Sequence, residues 1–101
     1  MNPLLPDTQR YLSHIASQRG LSPVTIANYQ RHLNEFMALL KIQNILSWQQ
    51  LDTHQVRLLA KQLHQNGIKA RSIATKLSAL RSFLEYLVKN DQLTFNPAKG
   101  V

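Results

Sequence analysis

The feature that most restricts this chain's fold is its helical spacing of apolar residues, interrupted mainly at Gly and Pro. Apolar side chains recur at intervals of three and four, and no stretch alternates with period two for long enough to make a strand. The three Gly and four Pro fall where helices should start or stop. Such a chain is expected to bury the apolar stripes of several helices against one another. The expected class is all-α, a compact four-helix bundle with connections of a few residues.

The boundaries follow from local chemistry. Asp7 is expected to cap a first helix running to about Arg19, with Tyr11, Leu12, Ile15 and Ala16 facing inward and Gly20 ending it. Ser22 followed by Pro23 is a strong start signal, because Ser caps and Pro fits the first helical position. The second helix should reach about Leu40 on a stripe of Ile26, Tyr29, Leu33, Phe36, Met37 and Leu40. A break at Ile42 to Ser47 precedes a short turn holding Trp48 and Leu51. Asp52 or Thr53 caps a third helix through about Gln65, with Val56, Leu59, Ala60 and Leu63 inside, and Asn66-Gly67 ends it. The fourth begins near Lys69 to Ser72 and ends near Asn90, on a stripe of Ile73, Leu77, Leu80, Leu84, Leu87 and Val88. Leu93 and Phe95 are expected to fold back on the bundle before Asn96-Pro97 lets the chain leave.

At 101 residues and 44% hydrophobic the chain can bury one core. Twelve Lys and Arg against five Asp and Glu give a net charge of +7, which favours a polyanionic partner: DNA, RNA or an anionic membrane surface. No apolar run is long enough to span a membrane, and the N-terminal segment lacks the basic start and apolar stretch of a secretory signal. Cysteine is absent, which removes disulfide and thiol chemistry and is compatible with the cytoplasm.

The excess charge is concentrated. Arg57, Lys61, Lys69, Arg71, Lys76, Arg81 and Lys89 face a single acid, Glu85, across helices three and four. On a helical wheel Arg71, Thr75, Ser78, Ser82 and Lys89 point away from the core, Ser72 and Lys76 lie on one flank, and Arg81 lies on the other beside the apolar arc. Small hydroxyls between basic residues let a backbone approach DNA closely and bond phosphates or base edges. The same face could equally be a solvated surface. Arg81, so near the core, needs a partner. An ion pair with Glu35, Asp52 or Glu85 is expected ahead of a phosphate contact. Ser22, Thr25 and Asn28 place small polar groups at a helix N-terminus, where free N–H groups attract phosphate, although a cap alone explains Ser22. Arg31 is either a phosphate contact or an ordinary surface residue. Arg71 and Lys76 are expected to serve DNA binding without serving stability.

Other chemistries find no support in the sequence. His14, His32, His54 and His64 lack metal spacing and are expected at the surface or partly buried, so no metal and no cofactor are expected. Trp48 and Tyr29 could stack on bases, but packing is the commoner role of isolated aromatics. There is no phosphate-cradling Gly loop, no G-x-S-x-G, no H-E-x-x-H and no useful carboxylate pair. The residues present do not make an enzyme, and no small-molecule ligand is implied.

Two segments, LSPVTIANYQRHLNEF from Leu21 to Phe36 and SIATKLSALRSFLEYLVKNDQLTFNPAKGV from Ser72 to Val101, resemble the N-terminal core-binding domain of tyrosine recombinases, the phage integrase family. The likeness runs through nearly the whole chain and is greatest to the Xer branch, which acts in chromosome dimer resolution. It implies a SAM-like four-helix bundle forming half of a clamp around a recombination half-site on double-stranded DNA. The second and fourth helices would cross the major groove, with Ser22, Thr25, Asn28, Arg31, Arg71, Ser72, Lys76 and Arg81 as candidate contacts. It further implies a domain over residues 1–95, a linker beginning at 96–101, and a catalytic domain beyond that carries the family's reacting residues. A XerD-like recombinase and an FtsK-type translocase are the implied partners. The first helix, from Asp7 to Arg19, is the implied contact with a neighbouring protomer. Apart from the resemblance, two other readings of a basic helical domain stand beside DNA binding. One is a protein-interaction module for an acidic partner. The weaker one is a membrane-surface binder, which would need the aromatic and Leu residues that the core uses.

Overall fold

A computed structural model describes residues 2–18 and 20–101. It contains four α-helices, α1 (Leu5–Gln18), α2 (Pro23–Ile42), α3 (Thr53–Gln65) and α4 (Ala70–Lys89), and a 3₁₀ turn at Trp48–Gln50. No strand occurs among the described residues. The expected all-α bundle is the fold. The central element is α4, which packs against all three other helices.

α1 starts earlier than expected. The Asn2 side chain accepts the Leu4 N–H at 3.0 Å, so Asp7 lies inside the first turn and pairs with Arg10 instead of capping. The inward face is correspondingly shifted toward the N-terminus. Leu4 and Thr8 are buried with Tyr11 and Ile15, whereas Ala16 is exposed. The Trp48 indole N–H donates to the Leu4 carbonyl at 3.0 Å and ties the start of α1 to the core. Thr8 satisfies its hydroxyl by donating to the Leu5 carbonyl at 2.8 Å. Arg19, the expected end of the helix, lies outside the described residues.

Ser22 caps α2 as expected, accepting the Thr25 N–H at 3.2 Å. Leu33, Phe36, Met37 and Leu40 are buried, while Ile26 and Tyr29 are only half-buried. Asp52 rather than Thr53 caps α3, in a reciprocal box with Gln55. Gly67 adopts φ +85°, a left-handed conformation that costs a residue with a Cβ, and it turns the chain tightly from α3 into α4. The α4 stripe is wider than expected. Ala79 and Phe83 join Ile73, Leu77, Leu80, Leu84 and Leu87 in the core. Phe83 meets Trp48 edge-on at 4.7 Å and Tyr11 at 5.4 Å, so three segments of the chain converge on one aromatic cluster.

The residues after α4 differ from expectation. Phe95 is exposed, and Asn96, Pro97 and Ala98 are buried instead. The Asn96 amide donates to the Arg81 carbonyl at 3.0 Å and to Glu85 at 3.2 Å, which holds the chain against α4. An Asn-Pro pair read only as a helix stop is here also a packing element.

Candidate nucleic-acid interface

An open groove runs between the first half of α2 and the start of α4. Its walls are Thr25, Asn28, Tyr29, Arg31 and His32 on one side, and Gly67 to Lys69, Arg71, Ser72, Thr75 and Lys76 on the other. Six of the eight sequence candidates, Thr25, Asn28, Arg31, Arg71, Ser72 and Lys76, therefore line one cavity. The cause is geometric. The tight turn at Gly67 delivers the N-terminus of α4 beside α2, and the core stripes of the two helices face each other below the groove.

Among the described residues no acid lines this groove, although Glu35 reaches Lys76 at its edge. Arg31, Lys69 and Arg71 are exposed and make no ion pair among the described residues. Lys69 occupies the N-cap position of α4 and makes no side-chain cap, so it satisfies none of the first-turn N–H groups of α4. The arrangement concentrates positive potential between two walls of small polar side chains, which is what a phosphate backbone requires. Along the outward face of α4 the track continues through the exposed Ser78, Ser82 and Lys89.

The remaining candidates are placed differently. Ser22 lies outside the groove, its hydroxyl used by the α2 cap and by the Thr25 hydroxyl at 3.0 Å. Arg81 makes none of the ion pairs expected of it. It donates from Nε to the Ala98 carbonyl at 3.4 Å and from a terminal nitrogen to the Val101 carbonyl at 2.9 Å. The nearby acid, Glu85, accepts from Asn96 instead. Carbonyls of the returning chain lie closer than any carboxylate, and they satisfy the guanidinium fork. Lys76 lies in the groove wall but is not free. Its ammonium is 2.5 Å from Glu35 and 3.4 Å from His32 Nδ1, with the side chain 12% exposed.

His32, expected at the surface or partly buried, is buried, and it faces Lys76. Burial first, then the positive charges of Lys76 and Arg31, hold its pKa below the ordinary 6.5, with Glu35 opposing them. Trp48 is core, as the packing alternative has it. Lys69 and His32 line the groove but were not among the sequence's candidate contacts, and Thr75 was read there only as part of the outward hydroxyl face. Lys69 could have been found as a basic residue at a helix start. The burial of His32 had no signal, since a polar residue on the flank of an amphipathic helix reads as exposed. No group of three or more metal-ligating side chains occurs among the described residues.

The family model for the phage integrase N-terminal SAM-like domain matches residues 8–91. The chain belongs to that family. The match takes in most of α1, all of α2, α3 and α4, and both walls of the groove. Along its entire length this integrase-type domain is 62% identical to the tyrosine recombinase XerC of Psychromonas ingrahamii and 44% identical to the tyrosine recombinase XerC of Escherichia coli. It spans about a third (34%) of the length of each of these relatives. No solved structure matches it. None of the helices described in the domain is long and apolar enough to cross a membrane.

Proposed function

We propose that this domain is the DNA-binding arm of a XerC-like, site-specific tyrosine recombinase that works in the cytoplasm on chromosome dimers. The groove between α2 and α4 seats the sugar-phosphate backbone at the edge of a major groove. Arg31, Lys69 and Arg71 neutralise phosphates, while Thr25, Asn28, Ser72 and Thr75 approach the duplex closely. Cleavage and strand exchange belong to the rest of such a protein, as do contacts with a XerD-like recombinase and an FtsK-type translocase. Residues 96–101 lead toward that catalytic part, and exposed residues of α1 face a neighbouring protomer.

One observation carries this reading: Arg31 of α2 and Lys69 and Arg71 at the start of α4, which make no ion pair among the described residues, line the same groove. Fluorescence anisotropy with a labelled duplex tests it. Three neutralised phosphates give a slope of log affinity against log salt of about −2.7, at about −0.9 per phosphate. Binding is expected to be weak and little dependent on sequence, because one arm of a clamp holds only part of a site. Equal affinity for an unrelated polyanion such as heparin at matched salt would sink groove docking and leave the protein-interaction alternative.

A further inference from the structure

Lys76 differs from the other cations of the groove because its charge is already spent. Its ammonium sits against Glu35 of α2 at 2.5 Å and offers a second N–H to His32 Nδ1 at 3.4 Å, also on α2. Among the described residues this is the only ion pair that joins two helices, the other being Arg10 with Asp7 inside α1. A phosphate would have to compete with a carboxylate already in contact, for a side chain that is only 12% exposed. Apolar contacts between the core stripes hold α2 and α4 together below the groove, but at its rim Thr25, Asn28, Ser72 and Thr75 are small polar side chains that add little apolar clamping.

Building on the DNA-binding reading above, we infer that Lys76 is a positioning residue and not a phosphate contact. It acts as a strut from α4 to Glu35 and His32 of α2. The strut sets the distance between the wall that carries Arg31 and the wall that carries Arg71. Lys76 then contributes to affinity through groove width, whereas Arg31 and Arg71 contribute through charge. These routes leave different traces. Loss of a phosphate contact lowers the number of counterions released, and loss of a strut does not.

The experiment compares Lys76→Met, Arg71→Ala, Lys76→Glu and the charge swap Glu35→Lys/Lys76→Glu. It measures melting temperature and the salt dependence of binding to a labelled duplex. Lys76→Met is expected to lower the melting temperature and weaken binding several-fold with an unchanged salt slope. Arg71→Ala is expected to leave melting unchanged and make the slope shallower by about 0.9. The swap is expected to recover most of the melting temperature and affinity that Lys76→Glu alone loses. The inference is overturned if Lys76→Met behaves like Arg71→Ala, or if the swap melts no higher than Lys76→Glu. The swap decides even if Lys76→Met fails to fold. Should the wild-type domain not bind duplex at all, the DNA reading falls, while the melting temperatures of the swap still judge the strut.

Discussion

Arg71 and Arg81 stand on the same helix and carry the same charge, yet the fold uses them in opposite ways. Arg71 is exposed on the rim of the groove with no ion-pair partner among the described residues. Arg81 is half-buried and gives its N–H groups to the carbonyls of Ala98 and Val101. The first guanidinium is available to a ligand, and the second organises the chain that returns over α4. Lys76 falls between them, placed in the groove but tied to Glu35. The lesson is that the count of basic residues on a helix does not measure its binding surface. What matters is which cations the fold has left unsatisfied, because a cation already bonded to protein acceptors must break those bonds before it can serve a phosphate.

Substitutions can break this contrast, and the largest effect should come from beneath it. Phe83 is fully buried against Trp48 and Tyr11, under the Arg81 end of α4. Phe83→Ala should cost about 3–5 kcal/mol in denaturant unfolding. It should abolish any difference between the two arginines, since neither has a place without the core. Next come Arg81→Ala and Asn96→Ala. Each strips partners from buried polar groups of the returning chain and should cost about 1–3 kcal/mol in the same measurement. Neither should alter the salt slope of duplex binding, and a shallower slope for Arg81→Ala would place Arg81 on DNA after all. Arg71→Ala reverses the pattern. Its stability should stay within about 0.5 kcal/mol of wild type, and its loss should appear in duplex affinity alone.

The smallest effect concerns His32. Burial and the neighbouring cations keep its imidazole neutral in the folded state at pH values where the unfolded chain, with an ordinary pKa of 6.5, is already protonated. Between those two pKa values the unfolded state binds more protons, so stability rises with pH through that window and is fully present above about 6.5. Melting temperature measured from acid to neutral pH should therefore fall on the acid side. His32→Gln should flatten that part of the profile, and an unchanged profile would remove His32 from the account.

The sequence by itself determined the class of fold and most of its boundaries. Helical spacing can be read along one dimension, and Ser22-Pro23, Asp52 and Asn66-Gly67 act through bonds to their immediate neighbours. It also identified the helices that carry the unbalanced charge. The tertiary structure decided everything that depends on residues meeting from afar. Trp48 ties the start of α1 to the core by holding the Leu4 carbonyl. Asn96 and Ala98 became packing residues because α4 offered them Arg81. Glu35 took Lys76 out of the free charge, and His32 was buried beneath the pair. Local propensity is set by covalent neighbours, whereas the satisfaction of a buried polar group depends on which distant atom packing brings within about 3 Å.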